Sequence, residues 1–229
     1  RDGIYLDGSA YTTIRSTGVD GCTRYGVNIA NGARDTIITD PNVRGAGAVN
    51  VVINSDAYNV QIDGGVLQES GEDNVRIRRG ASGSDTYVSL SGITFKNSGR
   101  DAVSIAGACR NEIIGCIFKD SGINLHNTYN DVSLEADGTH GGVAENNSVL
   151  SCIMSATAGN KAAYGVREYV GAANNNTVAY SLLSGHTAGS VLLVGAASRH
   201  IDESALAALG GRNGGQQLYG GINASENLT

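Results

Sequence analysis

A short phrase of two apolar residues around one variable residue recurs along the chain. Clear copies lie at Ile4–Leu6, Val27–Ile29, Val51–Ile53, Val75–Ile77, Val103–Ile105 and Ile123–Leu125, and weaker copies begin at Val143, Val166 and Val191. Successive copies start 20 to 28 residues apart, which lies within the period of solenoid repeats. Nine registers in 229 residues therefore restrict the chain to a stacked repeat architecture.

Each repeat contains two or three short alternating segments separated by Asn, Asp and Gly, without a helical pattern. Such a unit cannot bury its own apolar face, and stacking the units buries one continuous core. The sequence therefore predicts an all-β fold, a parallel β-helix of about nine coils over residues 1–205. A β-propeller would need repeats of roughly 40 residues, and a leucine-rich repeat would contain a helix. The remaining residues, 206–229, are interpreted as a C-terminal extension.

The composition excludes several classes of partner. The net charge is −6, and the densest basic segment, Val75–Gly80, is too short to form a nucleic-acid interface. No apolar run approaches the roughly 18 residues of a membrane span, so membrane insertion is not expected. The chain begins with Arg and shows no signal peptide, which indicates a piece of a longer or processed protein.

Neither a metal nor a cofactor is expected from the spacing of the candidate ligands. The four cysteines show no CxxC spacing, the histidines show no HExxH spacing, and calcium-loop phrases are absent from the sequence. The segments Asn111–Phe118 and Asn147–Met154 echo each other, which places Cys116 and Cys152 at one repeat position. We therefore interpret the cysteines as buried thiols rather than as disulfide partners.

The phrases "SGRDAVSI", "YGVNI" and "NEIIGCIF" resemble the pectate-lyase-like β-helix superfamily, over roughly residues 1–205. The resemblance implies a right-handed coil, and the superfamily includes polysaccharide lyases, glycoside hydrolases, epimerases and phage tailspikes. The final segment, Gly210–Thr229, resembles parts of phage or prophage tail proteins. This second resemblance implies a virion-associated or extracellular protein, a homotrimer and a polysaccharide ligand.

Two aspartates occupy the same repeat position in neighbouring coils. Asp73 and Asp101 each stand two residues before the apolar phrase, as Asp2 does at the start of the chain. If both carboxyls face outward, they lie about 5 Å apart, as in a retaining glycosidase, and their repulsion raises one pKa. The alternative is structural, because Asp before a strand often bonds its own backbone and turns the chain.

Polar residues at two further repeat positions form columns along the outside of the predicted sheet. Amides and guanidinium groups bind hydroxyls and carboxylates, and tyrosine stacks on a sugar ring. The candidate substrate-binding residues are Arg76, Arg78, Asn124, Arg167 and Tyr169. His126 projects from the same columns as a candidate base at neutral pH. A solvated sheet face would also be polar, so this pattern alone does not decide between binding and solvation.

Three functions remain open from the sequence. The first is a phage-tail-like protein that binds, and in one version cleaves, bacterial surface polysaccharide. The second is a free-standing polysaccharide lyase, hydrolase or epimerase. The third is a structural spacer in a fibre or adhesin without any ligand.

Overall fold

The computed structural model describes residues 1–202, except residues 55, 81–85, 140, 158 and 172. Twenty-five short strands, named β1 to β25 in chain order, run through successive turns of one coil. Each turn visits three faces in the same order, so every strand pairs in parallel with its equivalents in the neighbouring turns. This is a parallel β-helix, as the repeat predicted.

The first face carries the apolar phrase and is called sheet 1. Its strands are β1 (Ile4–Asp7), β4 (Tyr25–Ala30), β7 (Val49–Ile53), β10 (Val75–Arg78), β13 (Val103–Ala106), β16 (Asn130–Glu135), β20 (Tyr164–Glu168) and β24 (Gly189–Leu192).

The second face, sheet 2, also has eight strands. They are β2 (Thr13–Arg15), β5 (Arg34–Thr39), β8 (Tyr58–Asp63), β11 (Val88–Ser91), β14 (Glu112–Ile114), β18 (Ser148–Leu150), β22 (Thr177–Ala179) and β25 (Arg199–Ile201).

The third face, sheet 3, has seven strands in the described residues. They are β3 (Gly18–Asp20), β6 (Asn42–Arg44), β9 (Val66–Gln68), β12 (Thr94–Lys96), β15 (Ile117–Lys119), β19 (Ile153–Ser155) and β23 (Leu182–Ser184). A two-stranded addition pairs β17 (Ala144–Glu145) with β21 (Ala173–Asn174).

The coils stack in the predicted register except at one place. Val103 pairs with Val132, which in turn pairs with Val166. The predicted copies at Ile123–Leu125 and Val143 are therefore wrong, and β16 takes their place. Residues 123–128 form turns instead. In the described residues sheet 1 therefore contains eight strands, one for each coil, close to the nine coils predicted.

Columns of residues in the left-handed region turn the chain at the corners. Each strand from β2 to β22 in sheet 2 is followed at once by one of them: Ser16, Asp40, Gly64, Gly92, Gly115, Ser151 and Tyr180. Gly accepts positive φ freely, and Asn and Asp tolerate it better than other side chains. The recurrent Gly, Asn and Asp of the sequence therefore specify the corners of the coil.

The interior is one continuous core of mainly aliphatic side chains from all three sheets, with a short aromatic stack. Phe95 and Phe118 lie in adjacent coils with ring centroids 4.7 Å apart, and both are fully buried. Cys116 and Cys152 are buried at equivalent positions, since Ile117 pairs with Ile153. Their thiols contact backbone carbonyls, and none of the four cysteines forms a disulfide in the described part of the chain.

Residues 206–229, interpreted as an extension, lie outside the described residues. Where the structure describes the chain, no helix has the length and apolar character needed to cross a bilayer.

Candidate functional site

A cleft of about 320 Å³ lies on the outer face of sheet 1, where the chain enters the fourth and fifth coils. We call it the sheet-1 cleft. Its lining residues are Asp73, Arg76, Arg78, Arg100, Asp101, Ser104, Ala106, Thr128, Tyr129, Glu135 and Tyr169. The structure thus brings together five of the residues singled out from the sequence, namely Asp73, Asp101, Arg76, Arg78 and Tyr169.

Asp73 is held by an arginine of its own coil. The Arg76 side chain points outward from β10 and donates from Nε to Oδ2 of Asp73 at 2.6 Å. The same guanidinium donates from Nη2 to Glu72 at 2.6 Å. Burial nevertheless raises the pKa of Asp73 to about 6, while the charge of Arg76 opposes this rise.

Asp101 is bound by the next coil. It accepts from the backbone N–H of Asn130 at 2.6 Å and from the hydroxyl of Ser133 at 3.1 Å. Burial, followed by the nearby charge of Asp73, raises the pKa of Asp101 to about 8, although the bond from Asn130 opposes the rise. Asp101 is therefore mainly protonated at neutral pH.

The hydrogen bonds described for these aspartates do not fit a simple turn device. Asp73 and Asp101 are bonded to Arg76 and to the following coil, rather than to their own backbone two residues on. Asp2, at the same repeat position, binds Arg24 through both oxygens, and this bond lowers its pKa to about 2. The three aspartates share a position in the coil but have different partners.

Tyr169 lines the same cleft, and its hydroxyl accepts from Nδ2 of Asn130 at 3.4 Å. Arg167 lies 4.4 Å from the centre of the Tyr169 ring, so it supports the tyrosine from outside the cleft lining. Burial and the charge of Asp101 raise the pKa of the Tyr169 hydroxyl. This group therefore stays protonated at neutral pH as a hydrogen-bond donor.

Two exposed arginines border the cleft beside these groups. Arg78 ends β10, and Arg100 lies 3.7 Å from Glu72 and 5.8 Å from the ring centre of Tyr129. Their guanidinium groups offer several donors to a carboxylated ligand.

Three predicted site residues do not line the cleft. One is Arg167, which stacks on Tyr169, and the other two, Asn124 and His126, lie in residues 123–128, which form turns rather than a strand. The Asn124 side chain donates to the carbonyl of Gly71 at 2.9 Å. The exposed His126 accepts through Nδ1 from the backbone N–H of Lys161 at 3.2 Å. Neither side chain is among the residues that line the cleft. The predicted placement of Asn124 and His126 on the outer columns is therefore wrong.

Arg100, Tyr129 and Glu135 also line the cleft, and sequence reasoning missed Arg100 and Tyr129. Glu135 occupies the column position assigned to His126, because Ala106 pairs with Glu135. Glu135 accepts a hydrogen bond from Ser104 at 2.7 Å. The sequence does contain an indication of this pairing, because Val132–Leu134 has the same apolar-x-apolar form as the other sheet 1 strands.

The chain matches no family model and no curated protein. It is similar in structure to two Azotobacter vinelandii proteins, the A-modules of the mannuronan C-5 epimerases AlgE4 and AlgE6. For AlgE4 the TM-score is 0.77 at 19% identity, over 87% of this chain and 54% of that one. For AlgE6 the TM-score is 0.76 at 20% identity, over 88% and 53%.

The full-length tailspike protein 2 from Escherichia coli O157:H7 bacteriophage CAB120 is also similar. Its TM-score is 0.62 at 14% identity, over 83% of this chain and 27% of the tailspike. The chain thus spans about half the length of the epimerase modules and less of the tailspike. At these identities the likeness concerns the fold: the chain is a parallel β-helix protein of the architecture found in polysaccharide epimerases and phage tailspikes.

Proposed function

We propose that this protein binds an acidic bacterial surface polysaccharide in the sheet-1 cleft and processes it by proton transfer. One observation carries the proposal: Asp73 and Asp101 line the same cleft from adjacent coils, with different partners and different pKa values. Pairs of titratable groups whose environments separate their pKa values are a frequent sign of an acid and a base.

The roles follow from the charge states at pH 7. Asp73, with a pKa of about 6, is mainly ionised and accepts a proton, whereas Asp101, with a pKa of about 8, is mainly protonated and donates one. Arg78 and Arg100 bind the carboxylate of the sugar, and Tyr169 donates to a sugar oxygen. Equivalent positions in adjacent coils are about 4.8 Å apart, near the carboxyl spacing of retaining glycosidases.

Three reactions can use this pair, and their products differ. In hydrolysis the acid protonates the leaving oxygen, and water supplies the new hydroxyl. In elimination the base removes the C5 proton while the acid protonates the leaving O4. In epimerisation a proton leaves C5, and another returns to the opposite face. The names of the structural neighbours, mannuronan epimerases and a tailspike, support a polysaccharide as the substrate class.

The proposal includes an assembly and a location. The tail-like sequence of Gly210–Thr229 and the fold shared with a tailspike support a homotrimeric, virion-associated or otherwise extracellular protein. We expect light scattering to give three times the mass of the chain. A monomer at micromolar concentration would contradict the trimer without affecting the chemistry of the cleft.

The experiment that tests the chemistry uses mannuronan and a panel of bacterial capsular and O-chain polysaccharides. New reducing ends, unsaturated uronate and inverted C5 protons, the last seen by NMR, report hydrolysis, elimination and epimerisation respectively. We expect Asp73→Asn and Asp101→Asn to lower turnover by about 10²-fold or more.

Asp2→Asn is the matched control, because Asp2 occupies the same repeat position far from the cleft; its turnover should be unchanged. Full turnover in both cleft variants would overturn the acid–base assignment. Binding to no polymer in the panel would favour the spacer function instead.

A further inference from the structure

A second polar depression runs along sheet 2, on a different face from the sheet-1 cleft. Two shallow pockets of about 260 and 330 Å³ repeat the same positions in different coils. In each coil, one pocket-lining residue stands just before the first buried residue of the strand, and another is the first side chain after it that points outward. Asn59 and Gln61 illustrate the two positions. We call this surface the sheet-2 groove; its border residues are Tyr11, Asp35, Asn59, Tyr87, Arg110 and Asn146.

Every border residue has a left-handed backbone, yet two of them are tyrosines. The φ values are 56° at Tyr11 and 47° at Tyr87, beside 53° at Asn59 and 58° at Asn146. Asn is suited to this conformation, whereas a tyrosine there costs conformational free energy. Tyr11 is 80% exposed and Tyr87 is 46% exposed, so their rings contribute little to the core. Both rings are therefore presented to solvent, at a backbone conformation that costs conformational free energy.

The side chains around Tyr87 hold its ring in place. Arg110 lies 5.6 Å from the ring centre and donates a hydrogen bond to the Tyr87 hydroxyl. A ring that is already braced loses little freedom when a ligand packs on it. Glu112 and Ser148 line the same pocket with polar oxygens, and Gln61 lines the pocket near Tyr11 with an amide.

We infer that the sheet-2 groove is a second, non-catalytic binding surface for an extended polysaccharide. Tyrosine offers a large flat face to the apolar face of a sugar ring, and amide and hydroxyl groups pair with sugar hydroxyls. Tyr11 and Tyr87 are three coils apart, or ~14 Å along the axis. A polymer lying parallel to the axis would thus contact both rings with several sugar units.

The second surface would retain polymer near the cleft. A chain held on sheet 2 raises the effective concentration of its neighbouring segments at sheet 1 without adding contacts there. The identity of the polymer rests on the proposed function, whereas the groove itself does not use Asp73, Asp101 or Arg78.

The test measures polymer binding by affinity electrophoresis in gels that contain mannuronan or purified capsular polysaccharide. The background protein is Asp101→Asn, so that the polymer is not consumed during the run. We expect Tyr11→Asn with Tyr87→Asn to weaken retention about tenfold, which corresponds to the loss of about 1.4 kcal/mol. Because Asn suits a left-handed backbone, which offsets the loss of the Arg110–Tyr87 contact, the unfolding midpoint should change little.

Tyr180→Asn is the matched control. Tyr180 is also left-handed, with φ of 55°, and 47% exposed, but it lies at the opposite edge of sheet 2. It should leave retention within twofold of the background protein. Two results would overturn the proposal that the sheet-2 groove binds polysaccharide. One is unchanged retention in the Tyr11/Tyr87 double variant, and the other is no retention of the background protein by any of these polymers.

Turnover of soluble oligosaccharides by the protein with Asp101 intact tests the cleft independently. Loss of turnover on Asp101→Asn, together with unchanged retention in the double variant, would sustain the cleft and reject the groove.

Discussion

The Nε and Nη2 atoms of Arg76 form a charged pair with Asp73 at 2.6 Å, and both side chains are largely withdrawn from solvent. Both partners belong to the same coil, since the two residues are three positions apart in the sequence. It fixes the orientation of a carboxyl that the proposed mechanism uses as a base. Its removal should affect stability and catalysis differently.

Arg76→Met should destabilise the fold by about 3–5 kcal/mol, because it leaves the buried carboxylate of Asp73 without its partner. The loss should be larger at pH 8 than at pH 5, where Asp73 can take up a proton instead. Urea unfolding at the two pH values measures the difference. Arg78→Met, on the same strand but exposed, is the control and should cost less than about 1 kcal/mol. Equal losses in the two variants would contradict the importance of the buried pair.

Stability should fall as the pH rises from about 4.5 to 8. The folded pKa values of Asp73 and Asp101, about 6 and about 8, lie above the ordinary value of 3.8. The unfolded chain therefore releases these protons at lower pH than the folded protein, and the resulting stability is lost as the pH rises through the folded pKa values. Below this window the lowered pKa values of Asp2 and Glu72 act in the opposite direction.

Asp101→Asn should flatten this dependence, since a carboxamide does not titrate and its oxygen still accepts from the Asn130 N–H. Thermal unfolding across the pH range measures the slope, and Asp2→Asn should leave the slope above pH 4.5 unchanged. A slope of the same size in Asp101→Asn would show that Asp101 is not the titrating group.

Asn147→Ala should destabilise the coil by about 3 kcal/mol or more. Asn147 is buried between two other asparagines: its Oδ1 accepts from the Asn111 backbone at 3.0 Å, and its Nδ2 donates to Asn176 at 3.1 Å. Removal leaves several buried polar groups unpaired, each costing about 1–3 kcal/mol. Chemical denaturation measures the change. The neighbouring Asn146→Gly, at an exposed left-handed corner, should change stability by less than about 1 kcal/mol.

The cysteines should differ in their reaction with an alkylating reagent. Cys116 and Cys152 are 1% exposed, and Cys109 is also buried, whereas Cys22 is partly exposed. Contact with Cys152 and burial raise the pKa of the Cys116 thiol, which reduces its thiolate fraction. We expect rapid modification of Cys22 and slow modification of the other three by mass spectrometry. Rapid modification of Cys116 in the folded protein would contradict the stacked core.

The coil was predictable because stacking makes each position repeat. Two alternating apolar residues, such as Val75 and Ile77, mark the inner face of one strand, and their recurrence gave the period. The same reasoning failed at Ile123, which has the right pattern but lies in a turn. A local phrase cannot reveal an extra turn of chain between two coils, since the pairing of Val103 with Val132 depends on contacts 29 residues apart in the sequence.

The candidate site was predictable in part. The shared column of Asp73 and Asp101 follows from the period, and Arg76 and Arg78 follow from strand alternation. Arg100 and Tyr129 lie in corners, and their proximity to the cleft depends on the path of turns that have no fixed length. The sequence provides Arg76 beside Asp73, where the second phrase has Ser104. It does not show that Asp101 bonds to Asn130, because that contact depends on where the next coil lies.

The in-register stack has a consequence for how such a protein can be altered. Each coil advances every column by the same increment, so the axial offset between Tyr11 and Tyr87, which share a column, is a whole number of rungs. Inserting or deleting one complete coil between them would change that offset by a single unit while leaving every strand a parallel neighbour to pair with. The backbone thus sets the spacing between surface groups, and the side chains set which group stands at each step.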